Sequence, residues 1–166
     1  MSLSSPHLLL ASSNSHKMLK NLRHILDAGA CDAIQNDINL NVRQLFNLGE
    51  SHYMFAKQLD IEHWRQRISR FYYGAYNVRR AIGLHHNGSY GTEVDDHKKT
   101  LLPDELNNHS TYSNKLGVLR DDRNLSDYDH TSVESDLVNT QNDTELFVTS
   151  FIDDAKAYLV SRGVTL

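Results

Sequence analysis

The sequence predicts an all-α protein, an antiparallel bundle of four to five helices, and three observations carry that prediction. Apolar residues recur at three- and four-residue steps through most of the chain, the period of a helix buried on one side. No segment alternates apolar and polar residues as a half-buried strand would. The only prolines are Pro6 and Pro103, so the middle of the chain has no interior helix breaker. A length of 166 residues suits one compact unit with a real core. Short connections then make antiparallel neighbours the natural arrangement.

Residues 1–36 read as an N-terminal arm with one short helix, its apolar face made by Met18, Leu22, Ile25 and Leu26 and its stop by Ala28-Gly29. The opening residues lack the basic start and long apolar run of a secretory signal. The main helical domain is expected over 37–166. Ile38, Val42, Leu45, Tyr53, Ala56 and Leu59 place one long amphipathic helix over 37–59. Asp60 is a candidate cap for the next, whose Ile61, Trp64, Ile68, Phe71, Ala75, Val78 and Ile82 keep the spacing for several turns. Its Gly74-Ala75 pair would let another helix approach closely. HHNGSYG at 85–91 reads as a breaker. A polar stretch follows, with a short helix near Asp95–Leu102 that stops at Pro103. A fourth long element should begin near 111–113 and carry Leu116, Leu119 and Arg123. The last should run from Asn142 to Ser161 on Leu146, Phe147, Phe151, Ala155 and Tyr158/Leu159, capped by Asn142 or Asp143.

Apolar residues make up 39% and charged residues 23%, and the apolar runs are only a few residues long, so no membrane association is expected. The single cysteine, Cys31, excludes an internal disulfide framework and every cysteine-pair zinc or redox motif, which suits a cytoplasmic setting. Net charge is −4 with histidine neutral, so the chain as a whole does not attract polyanions. Locally it differs. Between His63 and Thr92 there is no Asp or Glu, while Arg65, Arg67, Arg70, Arg79 and Arg80 supply five positive charges. These arginines read either as a solvated or acid-paired face or as a phosphate-binding strip.

No glycine-rich phosphate loop and no serine or cysteine nucleophile motif is present. The spacing of His85, His86, His97, His109, Asp95 and Asp96 matches no metal-ligand signature, so neither metal nor cofactor is expected. One constellation stands out in RNLSDYDH. Arg123 and His130 are seven residues apart, which on a continuous helix leaves them about 20° apart on the cylinder, with Asp127 between them on the same line. An early helix end at the asparagine and aspartates would spoil that alignment, and an Arg–Asp pair four residues apart is also common on ordinary helix surfaces.

The helix containing SRFYYGAYNVRRAI, the break at HHNG and the later RDDRNLSDYD together resemble the HEPN family of helical domains, over roughly Asp37 to Leu159. The resemblance implies an all-α bundle that forms a homodimer. Many members are RNases of toxin–antitoxin and phage-defence systems, whose active form carries an Arg, a polar residue, and a His after a gap of four to six. Arg123, Asn124 and His130 fit that pattern at its upper gap. An antitoxin or nucleotidyltransferase partner is implied as well. Other relatives keep the Arg and Asp-Tyr without the His and bind nucleotide or a partner protein, which is the alternative.

Metal-independent cleavage is sound chemistry for such a pair. A base takes the ribose 2′-hydroxyl proton, and histidine suits that step because its pKa of about 6.5 leaves both forms available near neutrality. A guanidinium meets the charge developing on the phosphoryl oxygens, the role expected of Arg123. Asn124 would bind phosphate or orient His130, and Asp127 would hold Arg123. Arg70, Tyr73, Arg79, Arg80 and Arg120 are the candidate substrate-binding residues. Arg79 falls on the flank of the buried stripe, and Arg70, Tyr73 and Arg80 fall opposite it. For Tyr72, Tyr73 and Tyr76, core packing competes with base stacking.

Overall fold

Gly49 and Gly74 set the spacing of the two longest helices, α2 (Ala28–Gln58) and α3 (Trp64–Asn87). A Cβ at Gly49 would sit 2.7 Å from the carbonyl oxygen of Gly74 and 2.7 Å from Cγ2 of Val78, so the backbones touch where both residues lack a side chain. The computed structural model describes residues 14–91, 94–99 and 102–166, and every regular element among them is helical. Besides α2 and α3 these are α1 (Ser15–Leu22), α4 (His109–Tyr128) and α5 (Gln141–Ser161), with 3-10 turns at Ile61–His63, Val94–Lys98 and Glu134–Asp136. None of the described helices is long and apolar enough to cross a membrane.

Helix α3 is central and packs on α2, α4 and α5. Its Ile68, Phe71, Ala75, Val78 and Ile82, one turn apart along one side, are fully buried. Val42 and Phe46 of α2, Leu119 of α4 and Val148, Phe151 and Leu159 of α5 form one core with Phe71, Ala75, Val78 and Ile82. A second, smaller cluster of Leu19, Cys31, Ile34 and Ile38 seats α1 on the first half of α2.

Several expected boundaries move, each for a local reason. Residues 1–13 of the expected arm lie outside the described residues. The long second helix begins at Ala28, because Asp27 accepts from the Ala30 amide at 2.8 Å and caps it there. Ala28-Gly29 therefore opens a helix where a stop was expected, and the 36/37 boundary falls inside α2. Asp60 makes no side-chain cap, and a 3-10 turn precedes α3. Helix α3 runs through both histidines to Asn87 and ends on Gly88, whose φ of 71° is the left-handed conformation that favours glycine. There α1 completes the end: Ser15 donates to the Gly88 carbonyl through its amide and its hydroxyl, and Asn14 donates to the Asn87 carbonyl at 2.6 Å. Of the short helix expected at 95–102, positions 95–98 belong to a 3-10 turn, and 100 and 101 lie outside the described residues. Thr140, not Asn142 or Asp143, caps α5 by accepting from the Asp143 amide at 3.1 Å. Leu146 faces solvent at 59% exposure, off the buried stripe to which it was expected to belong.

Candidate functional site

The end of α4 decides the geometry of the Arg123 motif. Asp129 leaves the helical conformation, and its carboxylate accepts from the Thr131 amide at 2.9 Å and the Thr131 hydroxyl at 2.7 Å. These bonds, the hydroxyl's first, hold the Asp129 carboxyl down at about 2. Arg65 of α3 fastens the same turn by donating to the backbone oxygens of Ser126 (2.9 Å), Asp129 (2.8 Å) and Ser132 (2.5 Å). The helix stops at Tyr128, so His130 sits outside it in an exposed turn, and its ring makes no hydrogen bond or ion pair with Arg123. The expected alignment of Arg123, Asp127 and His130 along one helical line is thereby corrected at its last member. Asp129 and Arg65 end the helix before His130 is reached.

Arg123 itself is drawn into a tyrosine-lined recess between α4 and α3, its side chain only 12% exposed. Its Nη2 donates to the Tyr73 hydroxyl at 2.5 Å and its Nη1 to Asn124 at 3.1 Å, while Nε lies 2.8 Å from the Asp127 carboxylate. The guanidinium rests against the rings of Tyr72, Tyr73 and Tyr128, with centroids 5.4, 5.3 and 4.9 Å away. Ser69 donates to Asp127 at 3.3 Å and ties the two helices together there. The face continues onto α2: the ring of His52 lies 5.8 Å from that of Tyr73, and Arg70 is 3.4 Å from His52 Nδ1 and stands over Phe55. Burial, then the Arg70 charge, holds the His52 imidazole below its ordinary pKa.

On the other side of Tyr72 lies a group that the motif does not contain. The Tyr72 hydroxyl is 2.6 Å from Nδ1 of His97, whose ring stacks on Tyr76 at 4.3 Å. Burial, then the Arg123 charge, pushes the His97 pKa down, with Asp96 opposing. Burial likewise pushes the Tyr72 hydroxyl well above its ordinary value, so it remains a phenol. Asp96 is 1% exposed and accepts from Tyr76 at 3.0 Å and from Arg79 at 2.5 Å. Arg80 stands over Tyr90 and donates to the Gly91 carbonyl at 3.1 Å.

No family model, no curated protein and no solved structure matches the chain. Arg123, Asn124, Asp127, Tyr73 and Arg70 come together on one face. Arg120 binds the neighbouring Asp121 at 2.8 Å. Arg79 is buried against Asp96, and Arg80 lines a separate recess. Of the assembly's other residues, Asp96 and His97 were weighed in the sequence only as metal ligands and set aside, and Tyr72 only as a packing or stacking aromatic. For Asp96 a further signal was the run of arginines from 63 to 92 with no acid among them, which requires a carboxylate from elsewhere once any of them is buried.

Proposed function

We propose that this chain is a HEPN-like helical module that holds an RNA or nucleotide phosphate at the Arg123 recess without cutting it. The observation that carries the reading is the separation of the two motif residues. Arg123 is gathered among tyrosines, while His130 lies past the end of α4 in an exposed turn. A phosphate oxygen would compete with Asn124 and Tyr73 for the Nη donors of Arg123, and the exposed ring of Tyr128 offers a face to a base. Leu48 and Phe55, each about half exposed, lie on the same side of α2 as His52 and extend the face. A second copy packing there would form a homodimer and deepen the recess. An antitoxin or nucleotidyltransferase partner follows only from the HEPN resemblance.

The test is binding of a short RNA and of mononucleotides to the wild type and to Arg123→Ala, with cleavage followed in the same samples. Binding that Arg123→Ala weakens at least tenfold, with no cleavage by either protein, supports the reading. RNA cleavage by the wild type that is lost in both Arg123→Ala and His130→Ala overturns it.

A second reading is a metal-independent endoribonuclease of a toxin–antitoxin or phage-defence system, and one observation favours it. Tyr72 contacts both Arg123 and His97, so an imidazole lies across that ring from the guanidinium, although it is not the one in the motif. With Nδ1–H donating to Tyr72, Nε2 of His97 would take the 2′-hydroxyl proton while Arg123 meets the phosphoryl charge. Cleavage abolished in His97→Ala and Arg123→Ala but retained in His130→Ala selects this reading.

A further inference from the structure

A recess of about 320 Å³ opens beside the second half of α3, lined by Arg79, Arg80, Asn87, Ser89, Tyr90 and Lys99, with Asp96 at its base. Among the described residues its charges do not balance. One buried carboxylate, Asp96, faces three cations: Arg79 Nη2 at 2.5 Å, Lys99 Nζ at 3.6 Å and Arg80 Nε at 4.0 Å. The remaining bonds of Arg80, to the Gly91 carbonyl and to Asn77 at 3.4 Å, go to neutral acceptors. Among the described residues two positive charges are left over. Arg79 is 8% exposed, yet its Nε and that of Arg80 are buried with no hydrogen-bond partner among the described residues. A buried guanidinium edge without an acceptor is costly, and an anionic ligand would supply one.

From this we propose that the recess binds a phosphate monoester, its dianion set against Arg80, Lys99 and the free edge of Arg79. An excess of two charges matches a dianion better than the single charge of an internal phosphodiester. Asn87 and Ser89 supply neutral hydrogen-bonding groups around the phosphate, and the Tyr90 ring, already under Arg80 at 4.5 Å, offers an apolar wall to the ester group. The volume lies near the lower end of the range for small-molecule sites, about 300–1,000 Å³, which suits a small organic phosphate or a chain end. A free metabolite and a 5′-phosphorylated RNA end share this chemistry. The inference stands apart from the Arg123 reading, since none of the groups set against the phosphate, Arg79, Arg80 and Lys99, touches Arg123.

The experiment follows the melting temperature of the full chain in inorganic phosphate against sodium chloride of equal ionic strength near pH 7.5. A parallel arm compares a short RNA with and without a 5′-phosphate. Wild type should melt higher in phosphate than in chloride, and Arg80→Gln should lose at least half of that difference. Lys99→Gln, at an exposed position, should lose part of it without lowering the baseline. Phosphate also stabilises folded proteins by general exclusion, so a response in Arg80→Gln equal to that of wild type overturns the proposal. If Arg80→Gln does not fold, a Lys99→Gln response equal to that of wild type overturns it. Tenfold preference for the 5′-phosphorylated RNA identifies a chain end as the ligand, and equal binding of both RNAs with the phosphate response intact identifies a free monoester.

Discussion

Arg65 Nη1 donates to the carbonyl oxygen of Asp129 at 2.8 Å, so a side chain from the start of α3 closes the end of α4. The last carbonyls of a helix lack intrahelical partners, and a guanidinium satisfies several at once in a rigid fork. The turn that carries His130 is fixed by this contact and by the Asp129–Thr131 bonds rather than by anything His130 does.

Arg65→Ala should therefore cost about 2 kcal/mol, the scale of hydrogen bonds from a charged donor. Chemical denaturation measures the loss. Hydrogen exchange should quicken most at the amides of 129–132, and Arg65→Lys, with one compact charge in place of the fork, should recover only part of the stability.

Gly49 and Gly117 form a matched pair. Replacing a mid-helix glycine by alanine gains about 1 kcal/mol of helix propensity when nothing is in the way. At Gly117 an added Cβ meets no atom within 4 Å, so Gly117→Ala should stabilise by up to that amount. At Gly49 the same Cβ meets the Gly74 oxygen and Val78 at 2.7 Å, and overpacking of about 1–3 kcal/mol outweighs the gain. Thermal unfolding of the two variants should move in opposite directions.

Asp122 is buried and accepts from the amides of Val138 (2.7 Å) and Asn139 (3.2 Å), anchoring the α4–α5 connection to α4. Asp122→Ala should cost about 1–3 kcal/mol, because two backbone donors lose their acceptor. Serine at the same position should be no better, being too short to reach both amides. Urea titration of the two variants checks this.

His97 makes stability depend on pH. Burial and the Arg123 charge hold its folded pKa below the ordinary 6.5, so the folded state binds its proton less readily than the unfolded chain does. Stability from this group is full above 6.5 and falls as pH drops below that value toward the folded pKa. His52 and His85, also lowered mainly by burial, act with the same sign. His97→Gln should thus reduce, without abolishing, the fall in melting temperature between about pH 7 and pH 5. A slope identical to that of wild type would show that His97 carries none of it.

Much of the helical layout was legible in the chain. The stripe of Ile68, Phe71, Ala75, Val78 and Ile82 is the fully buried side of α3, and Gly74 is the point of close approach. Periodicity reports burial because a helix turns at a constant angle. What periodicity cannot report is where a helix stops when a distant side chain ends it. Nothing near His130 in sequence names Arg65, 65 positions earlier, and so a seven-residue spacing that would align two side chains on an unbroken helix does not align them here.

The chain by itself determined that this protein is helical, which sides of its helices are buried, and that five of its arginines lie in a stretch with no acid. Only the tertiary structure decided which distant acid two of these arginines meet: Asp96 for Arg79 and Glu145 for Arg67. It also exchanged one imidazole for another, placing His97 rather than His130 against Tyr72, the ring that Arg123 also touches. Local spacing fixes directions along one helix, whereas ion pairs and stacking form between elements, and their partners are set by how the helices pack.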